Sequence, residues 1–485
     1  MNRILSIKRL RRMIAVVLLT SALLLQAAML YPAGVRAQTP PPNCYTATEL
    51  TLGGAGAEAL YFTRSGHVLG FGPDSSQDYH LFVYNGTGIH DLDAAINTPG
   101  SYFAVSEPHK SLSEDGSVFG VAMDSYNNQQ AVLFDDTGLH QLSLGGTFGV
   151  AIDINDAGQA TGASTDVTEA TLHAFRYDHG TMVDLGTLGG SRSYPYAISE
   201  NGKVVGESTN LSDESHAFLY DSSGIHDLGV LTGGTWSLAV AVNNSGQAAG
   251  VSEVTGGVQH AFLHDGTGMI DLGVLSGGSY SNATHINSSG QVVGIADDGN
   301  YQQHVFLYDG TSMTDLTPDA EYAEVLRFTD SGVVVGTAYT SQGYYVFVYD
   351  STGLHNISLG GTTSDAYGSF GGNGVTNQSG SVAGLADITN DDARHAFLYD
   401  SNGLQDLNSL STDEGSALGM NDSGQVVGET NGSAFLYTGG VMSDLNTMLC
   451  STGITLHEAL AISSDGVILA ADTNNGHLYL LTPPN

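Results

Sequence analysis

Seven histidines recur along the chain, each at the head of a run such as HAFLYD: His80, His173, His216, His260, His304, His395 and His477. Imidazoles in such a row could ligate metal or carry protons. Carboxylates accompany them in the DL dipeptides that hold Asp184, Asp227 and Asp271. A second set of ligand-capable residues follows Gly-Gly pairs: Phe148 in GGTF, Trp236 in GGTW, Tyr280 in GGSY, and Arg192 with Tyr194 in GGSRSY. An aromatic face bordered by Gly, Ser and Thr can stack on a sugar ring while the hydroxyls bond to it, or it can wedge between packed elements. Trp236, the only tryptophan, is the foremost candidate. Two stretches depart from the recurring pattern, as catalytic sites often do. SEPHKSLSED (106–115) brings in Glu107, His109 and Lys110, and DAEYAEVLRF (319–328) brings in Asp319, Glu321, Glu324 and Arg327.

The elements that must position these residues are legible from the repetition itself. An Asn/Ser/Thr-x-x-Gly turn followed by an apolar run ending in Gly or Ala places glycines at 66, 116, 158, 202, 246, 290, 332, 380, 424 and 466. These ten copies lie 42 to 50 residues apart, a period expected of solenoids and propellers. Glycine closes a type I turn at positive φ, where a Cβ would clash. Around it each copy reads as four short antiparallel strands: A (LAVAVN), B (GQAAG), C (HAFLYD) and D (IHDLG). Strand C lacks alternation, as a strand buried on both faces would. TATELTLGG (46–54) matches strand D, and HLYLL (477–481) matches a strand C with nothing after it. Complementary fractions at the two ends favour closure over an open solenoid. The expectation is an all-β protein, a β-propeller of about ten four-stranded antiparallel blades, closed by the N-terminal strand pairing with the C-terminal blade. Two five-bladed rings would satisfy the same tally.

That architecture constrains the chemistry. Histidines on successive blades are too far apart to share one tetrahedral ion, so each is expected to hydrogen-bond within its own blade, with Asp184, Asp227 and Asp271 as partners. No metal site is assigned. DINDAG (153–158) offers the atom type that calcium needs but few carboxylates at loop spacing, and no other cofactor is expected. No Ser-His-Asp order, Walker loop, dinucleotide fingerprint or Cys-His zinc spacing occurs. Fifty acids on a ring still permit a carboxylate pair suited to glycoside hydrolysis.

Residues 1–37 read as a signal peptide, with Arg3, Lys8, Arg9, Arg11 and Arg12 before an apolar run from Met13 to Leu30 and a Val35-Arg36-Ala37 cleavage pattern. A Pro-rich segment (38–45) leads into the repeat domain (46–485). Six of the 13 basic residues lie in positions 1–36 and no acid does, leaving 7 basic against 50 acidic residues and a net charge of −43. Such a surface repels nucleic acid and anionic lipid. The expected product is secreted, extracellular or periplasmic, and monomeric, with no membrane association beyond its leader. Cys44 and Cys450, in a compartment where disulfides form, are a possible staple, but the strand reading sets them at opposite rims.

HAFLYD, DLGTLGG (184–190) and INSSGQVVGIAD (286–297) resemble the bacterial extracellular HAF-repeat family across essentially all of 46–485. The unit is also similar to a kelch repeat, although Gly-Gly follows strand D rather than B and the paired Tyr and Trp of kelch are absent. The resemblance implies a propeller and no particular activity. The functional expectation is a secreted, non-enzymatic scaffold that binds a glycan or a surface protein on its loop-rich rim through Trp236, Tyr280, Phe148, Tyr194 and Arg192. An extracellular carbohydrate-active enzyme, a hydrolase or lyase using channel carboxylates, is the alternative, and a purely structural surface protein is a third possibility.

Overall fold

The computed structural model describes residues 44–484, apart from 97–99, 125, 127, 367–374, 389–392 and 409–413. The expected signal peptide (1–37) and nearly all of the Pro-rich segment lie outside the described residues. The chain from Pro40 onward is one compact unit, and it is a β-propeller. Among the described residues no helix is long and apolar enough to cross a membrane.

The fifth repeat shows how one unit is made. Strands Ser237–Val242, Ala248–Val254, Val258–His264 and Met269–Gly273 pair antiparallel in sequence order. At the A–B turn the Asn243 side-chain oxygen accepts from the Ser245 and Gln247 amides, and Gly246 closes the turn at φ +89°. The Gly that ends each VVG run has a different cause. Gly206 lies opposite Phe218 on strand C, and a Cβ there would come within 2.8 Å of that ring and 2.0 Å of the Tyr194 carbonyl. The phenylalanines so seated, among them Phe218, Phe262, Phe306 and Phe397, are fully buried. Strand C is thus apolar on both faces because it lies between two other sheets.

Neighbouring units share apolar cores. Val205, Ala217 and Leu228 of the fourth pack with Ala239, Ala248 and Phe262 of the fifth, and the same arrangement joins the fifth to the sixth and the sixth to the seventh. The tenth packs on the first through Leu469, Leu478 and Leu480 against Phe62, Val68 and Phe82. No core cluster among the described residues joins the fifth unit to the first, as a five-bladed ring would require. Polar stitches reinforce the apolar contacts. The Ser237 hydroxyl, fully buried, accepts from the Ala217 amide and donates to the Gly229 carbonyl of the preceding unit. Ser193 and Ser281 repeat the stitch. Asn243 donates from its side chain to the Asn287 carbonyl one unit on.

At the seam, Thr46–Glu49 pairs antiparallel with His477–Thr482 and supplies the fourth strand of the tenth sheet. Leu50 donates to the Leu478 carbonyl and is buried. The sulfurs of Cys44 and Cys450 are bonded, with their Cα atoms 5.0 Å apart, so the expected separation of the two cysteines on opposite rims is wrong. The connection after strand Val441–Asp444 does not cross directly to the next blade. It forms a 3₁₀ turn at Leu445–Met448 and runs beside the N-terminal strand, with the Tyr45 amide donating to Met448 O and the Cys450 amide to Tyr45 O.

Candidate functional site

The histidine row resolves into intra-blade pairs. Nδ1 of His173, His216 and His260 lies 2.9–3.0 Å from Asp184, Asp227 and Asp271. His80, His304 and His395 pair in the same way with Asp91, Asp315 and Asp406. His477 takes Glu49 of the N-terminal strand at 2.6 Å. The acid hydrogen bond is the main cause that raises the His80 and His304 pKa values. The four acids that sequence reasoning missed stand on strand D, three of them 11 residues after their histidine.

One group among the described residues, His80 with Asp91 and Asp93, is close enough to hold a single ion. Its donors are already committed. Asp93 accepts from the Leu81 and Phe103 amides, the stitch that Ser237 makes in the fifth unit and Asn408 in the eighth. The calcium expectation at 153–158 meets a similar obstacle: the two Asp153 oxygens accept from the Ile154 and Ile198 amides. Among the described residues, Asp153 and Asp156 belong to no group of three or more His, Cys, Asp or Glu side chains close enough to hold one ion.

The rim residues form a pattern that the sequence only suggested. Arg192, Tyr280 and Tyr322 each make a parallel bridge to the residue just before a strand-C histidine of the preceding unit: Leu172, Gln259 and Gln303. Trp236 holds the same position, immediately before the Ser237 stitch, and Phe148 stands one residue before Gly149, which pairs with Ser164 as Ser193 pairs with Ser208. Phe148, Arg192, Trp236, Tyr280 and Tyr322 therefore occupy one register on five consecutive units. Their backbone is fixed: the Trp236 carbonyl accepts from the Glu253 amide and the Ser252 hydroxyl, and Tyr280 O accepts from the Asp297 amide. Phe148 and Tyr322 are 38% and 47% exposed, Arg192 is exposed, and Trp236 and Tyr280 are half-buried.

Tyr194 does not belong to this arc. It lies two residues farther along strand A, opposite Glu207, with its ring centroid 5.5 Å from that of Tyr196. It lines a cavity of about 230 Å³ together with Ser106, Lys110 and Gln129. Tyr322 was missed as an arc member because it lacks the Gly-Gly signature and was grouped with its acidic neighbours.

The two sequence departures reach the inner strands. A register shift late in strand A sets Tyr61, Asp153, His285 and Arg327 at equivalent positions in four units. His285 is exposed, and desolvation by the protein around it, with Lys110 and Arg327 adding, lowers its pKa. Burial raises Asp153 to about 7 against amide hydrogen bonds and Lys110, which oppose it. Lys110 also pairs with Glu107 at 3.2 Å. Beyond this level the A–B turns cap one another. The Arg64 and Ser65 amides donate to Glu114, that of Asp156 to Glu200, that of Gln378 to Asp422, and that of Ser464 to the Arg64 carbonyl. Acids at this level serve as acceptors for neighbouring turns, a structural task.

Fold and site together define a propeller with an aromatic rail on one rim. No family model matches the chain, and no curated protein matches it. Among solved structures it is similar to the β-propeller domain of the Trilobed protease from Pyrococcus furiosus, described as having an open velcro topology, over 64% of this chain and 95% of that one (TM-score 0.37, 9% identity). A puromycin-hydrolyzing peptidase of Mycobacterium tuberculosis matches over 64% and 56% (TM-score 0.32, 14% identity). An acylaminoacyl peptidase of Pyrococcus horikoshii matches over 60% and 50% (TM-score 0.34, 10% identity). The chain spans about half the length of these two peptidases, and at such values the likeness says nothing of activity.

Proposed function

We propose that this chain is a secreted, non-catalytic binding propeller of the HAF-repeat kind, a single ring of ten blades that holds a glycan on its loop-rich rim. The observation that carries the reading is the in-register arc Phe148–Arg192–Trp236–Tyr280–Tyr322 on five adjacent units. Periodic flat faces with one cation among them suit a ligand that is itself periodic, and stacking on each ring adds to affinity without demanding a deep pocket. Catalysis by the inner-strand acids is the weaker reading, because both oxygens of Asp153 are engaged by backbone amides.

The test is retention on insoluble polysaccharides and cell-wall preparations. Wild type is expected to be retained, and Trp236→Ala with Tyr280→Ala is expected to weaken retention at least about tenfold. Full retention by the double variant would dismiss the arc, and so would no retention of wild type on any matrix.

A further inference from the structure

Next to the last ring of the arc lies a polar cleft of about 620 Å³ over the seventh unit. Its walls come from three connections. Asp319 belongs to the segment entering the unit, Ser341 and Gln342 to the loop between strands Val334–Thr340 and Gly343–Asp350, and Ser358 and Thr362 to the crossing into the eighth unit. Tyr345 forms an aromatic wall. Tyr322 lies opposite Tyr339 and Tyr339 opposite Tyr344, so these three rings share one face of the sheet, and Tyr345 turns to the other face, where it borders the cleft; rail and cleft meet at the rim, where Asp319 stands three residues before Tyr322. Tyr339, 49% exposed, is directly bonded to Thr340 of the loop.

The chemistry of the walls narrows the occupant. The side chains of Asp319, Ser341 and Gln342 are exposed, and among the described residues none of these side chains makes a hydrogen bond, the Gln342 backbone amide alone donating to Thr340 Oγ1. They therefore offer two acceptor-capable carbonyl or carboxyl groups, an amide donor and a hydroxyl to whatever enters. Neutral hydrogen-bonding groups beside one aromatic ring and one carboxylate suit the alternating hydroxyls and apolar face of a pyranose. The volume exceeds what one such ring needs. An anionic sugar would face Asp319 unpaired, in a protein with 50 acidic and 13 basic residues.

Resting on the glycan reading of the arc, we infer that this cleft is the anchoring subsite for one neutral hexopyranose unit of a chain laid along Phe148 to Tyr322, and that it supplies specificity where the rail supplies stacking. Asp319 and Gln342 accept from and donate to the sugar hydroxyls, and Tyr345 covers one face of the ring.

The experiment uses the full chain with four hexasaccharides, of β-1,4-glucan, β-1,3-glucan, β-1,4-mannan and galacturonan, by isothermal titration. Wild type is expected to bind at least one neutral probe and not the galacturonan. Asp319→Ala with Gln342→Ala is expected to weaken that binding about tenfold while leaving the thermal unfolding midpoint unchanged, since both side chains are exposed and unbonded. Gln342→Glu, which adds a second negative charge, is expected to weaken it further. If Trp236→Ala weakens binding and the cleft variants do not, the subsite is overturned and the arc stands. If no neutral probe binds wild type, both fall. Preference for galacturonan overturns the neutral class of ligand.

Discussion

Replacing Cys44 and Cys450 together by serine tests how the propeller is held shut. The disulfide joins residues 406 apart in sequence, nearly the whole described chain. The chain-entropy relation for a loop of that size gives about 6 kcal/mol at 25 °C, and measured native disulfides deliver about 2–5 kcal/mol. The seam has other bonds that survive the change: the four register pairs from Thr46–Thr482 to Glu49–Tyr479, the buried Leu50, and the Glu49–His477 contact. The native state should therefore keep its paired ends, and the loss should appear as a gain in unfolded-state entropy of about 3–5 kcal/mol. Urea unfolding followed by Trp236 fluorescence reads it, because that indole sits in the fifth unit, far along the repeat series from the seam. Limited proteolysis between residues 44 and 57 reads local opening separately and should quicken in the serine variant before the global transition. An unchanged urea midpoint together with unchanged cleavage at the N-terminal strand would show that the cross-link closes nothing, and would refute the account of the seam.

Three further outcomes follow from groups whose surroundings are known. Asp153→Asn should flatten the pH dependence of stability between pH 4 and pH 8, on top of a pH-independent loss because the Asn amide nitrogen cannot accept from the second of the Ile154 and Ile198 amides. The native carboxyl titrates near 7 against 3.8, so its neutral form contributes stability below about pH 4 that is lost as the pH rises to 7. The full shift corresponds to about 4 kcal/mol, and the carboxyl's residual solvent access brings the part of wild-type stability lost between pH 4 and pH 8, and absent from the variant, to about 1–2 kcal/mol; variant and wild-type urea midpoints that shift equally between pH 4 and pH 8 would contradict it. His304→Gln removes a contribution that is likewise lost as the pH rises, because Asp315 raises the imidazole pKa. The pair's stabilisation is complete below the unfolded value of 6.5 and is lost as the pH rises through the folded value, so the variant should lose about 1 kcal/mol at pH 5.5 and less at pH 8.5 by the same assay. Gly206→Ala should cost about 1–3 kcal/mol or more, measured by thermal and urea unfolding, because the new methyl meets the Tyr194 carbonyl and the Phe218 ring.

Much of the architecture was legible in a single chain because repetition makes each unit a control for the others. The turn glycines, the doubly buried strand C and the complementary ends all emerge from comparing copies, and the observed strands follow them. The histidine–aspartate pairs were legible for the same reason, since a constant separation of 11 residues across a strand C–strand D hairpin keeps the two side chains adjacent. The candidate site was less so. Phe148, Arg192, Trp236 and Tyr280 share a Gly-Gly signature, but Tyr322 reaches the same register from an acidic stretch with no such mark. Tyr194, two positions on, shares the signature's neighbourhood and turns into a cavity beside Lys110 instead. The disulfide ran against the strand reading because a 3₁₀ turn redirects one connection along the seam.

By itself the sequence determined the repeating unit, its four strands and the pairing of head with tail, because these depend on contacts within about 45 residues or on a pattern that recurs ten times. Only the tertiary structure decided which residues of different units stand at the same place: Asp153, His285 and Arg327 at one level of the inner strands, the rail of five rim residues, and the cleft over the seventh unit. The physical reason is that curvature around a ring sets distances between units, and no residue's own neighbours in sequence encode that curvature.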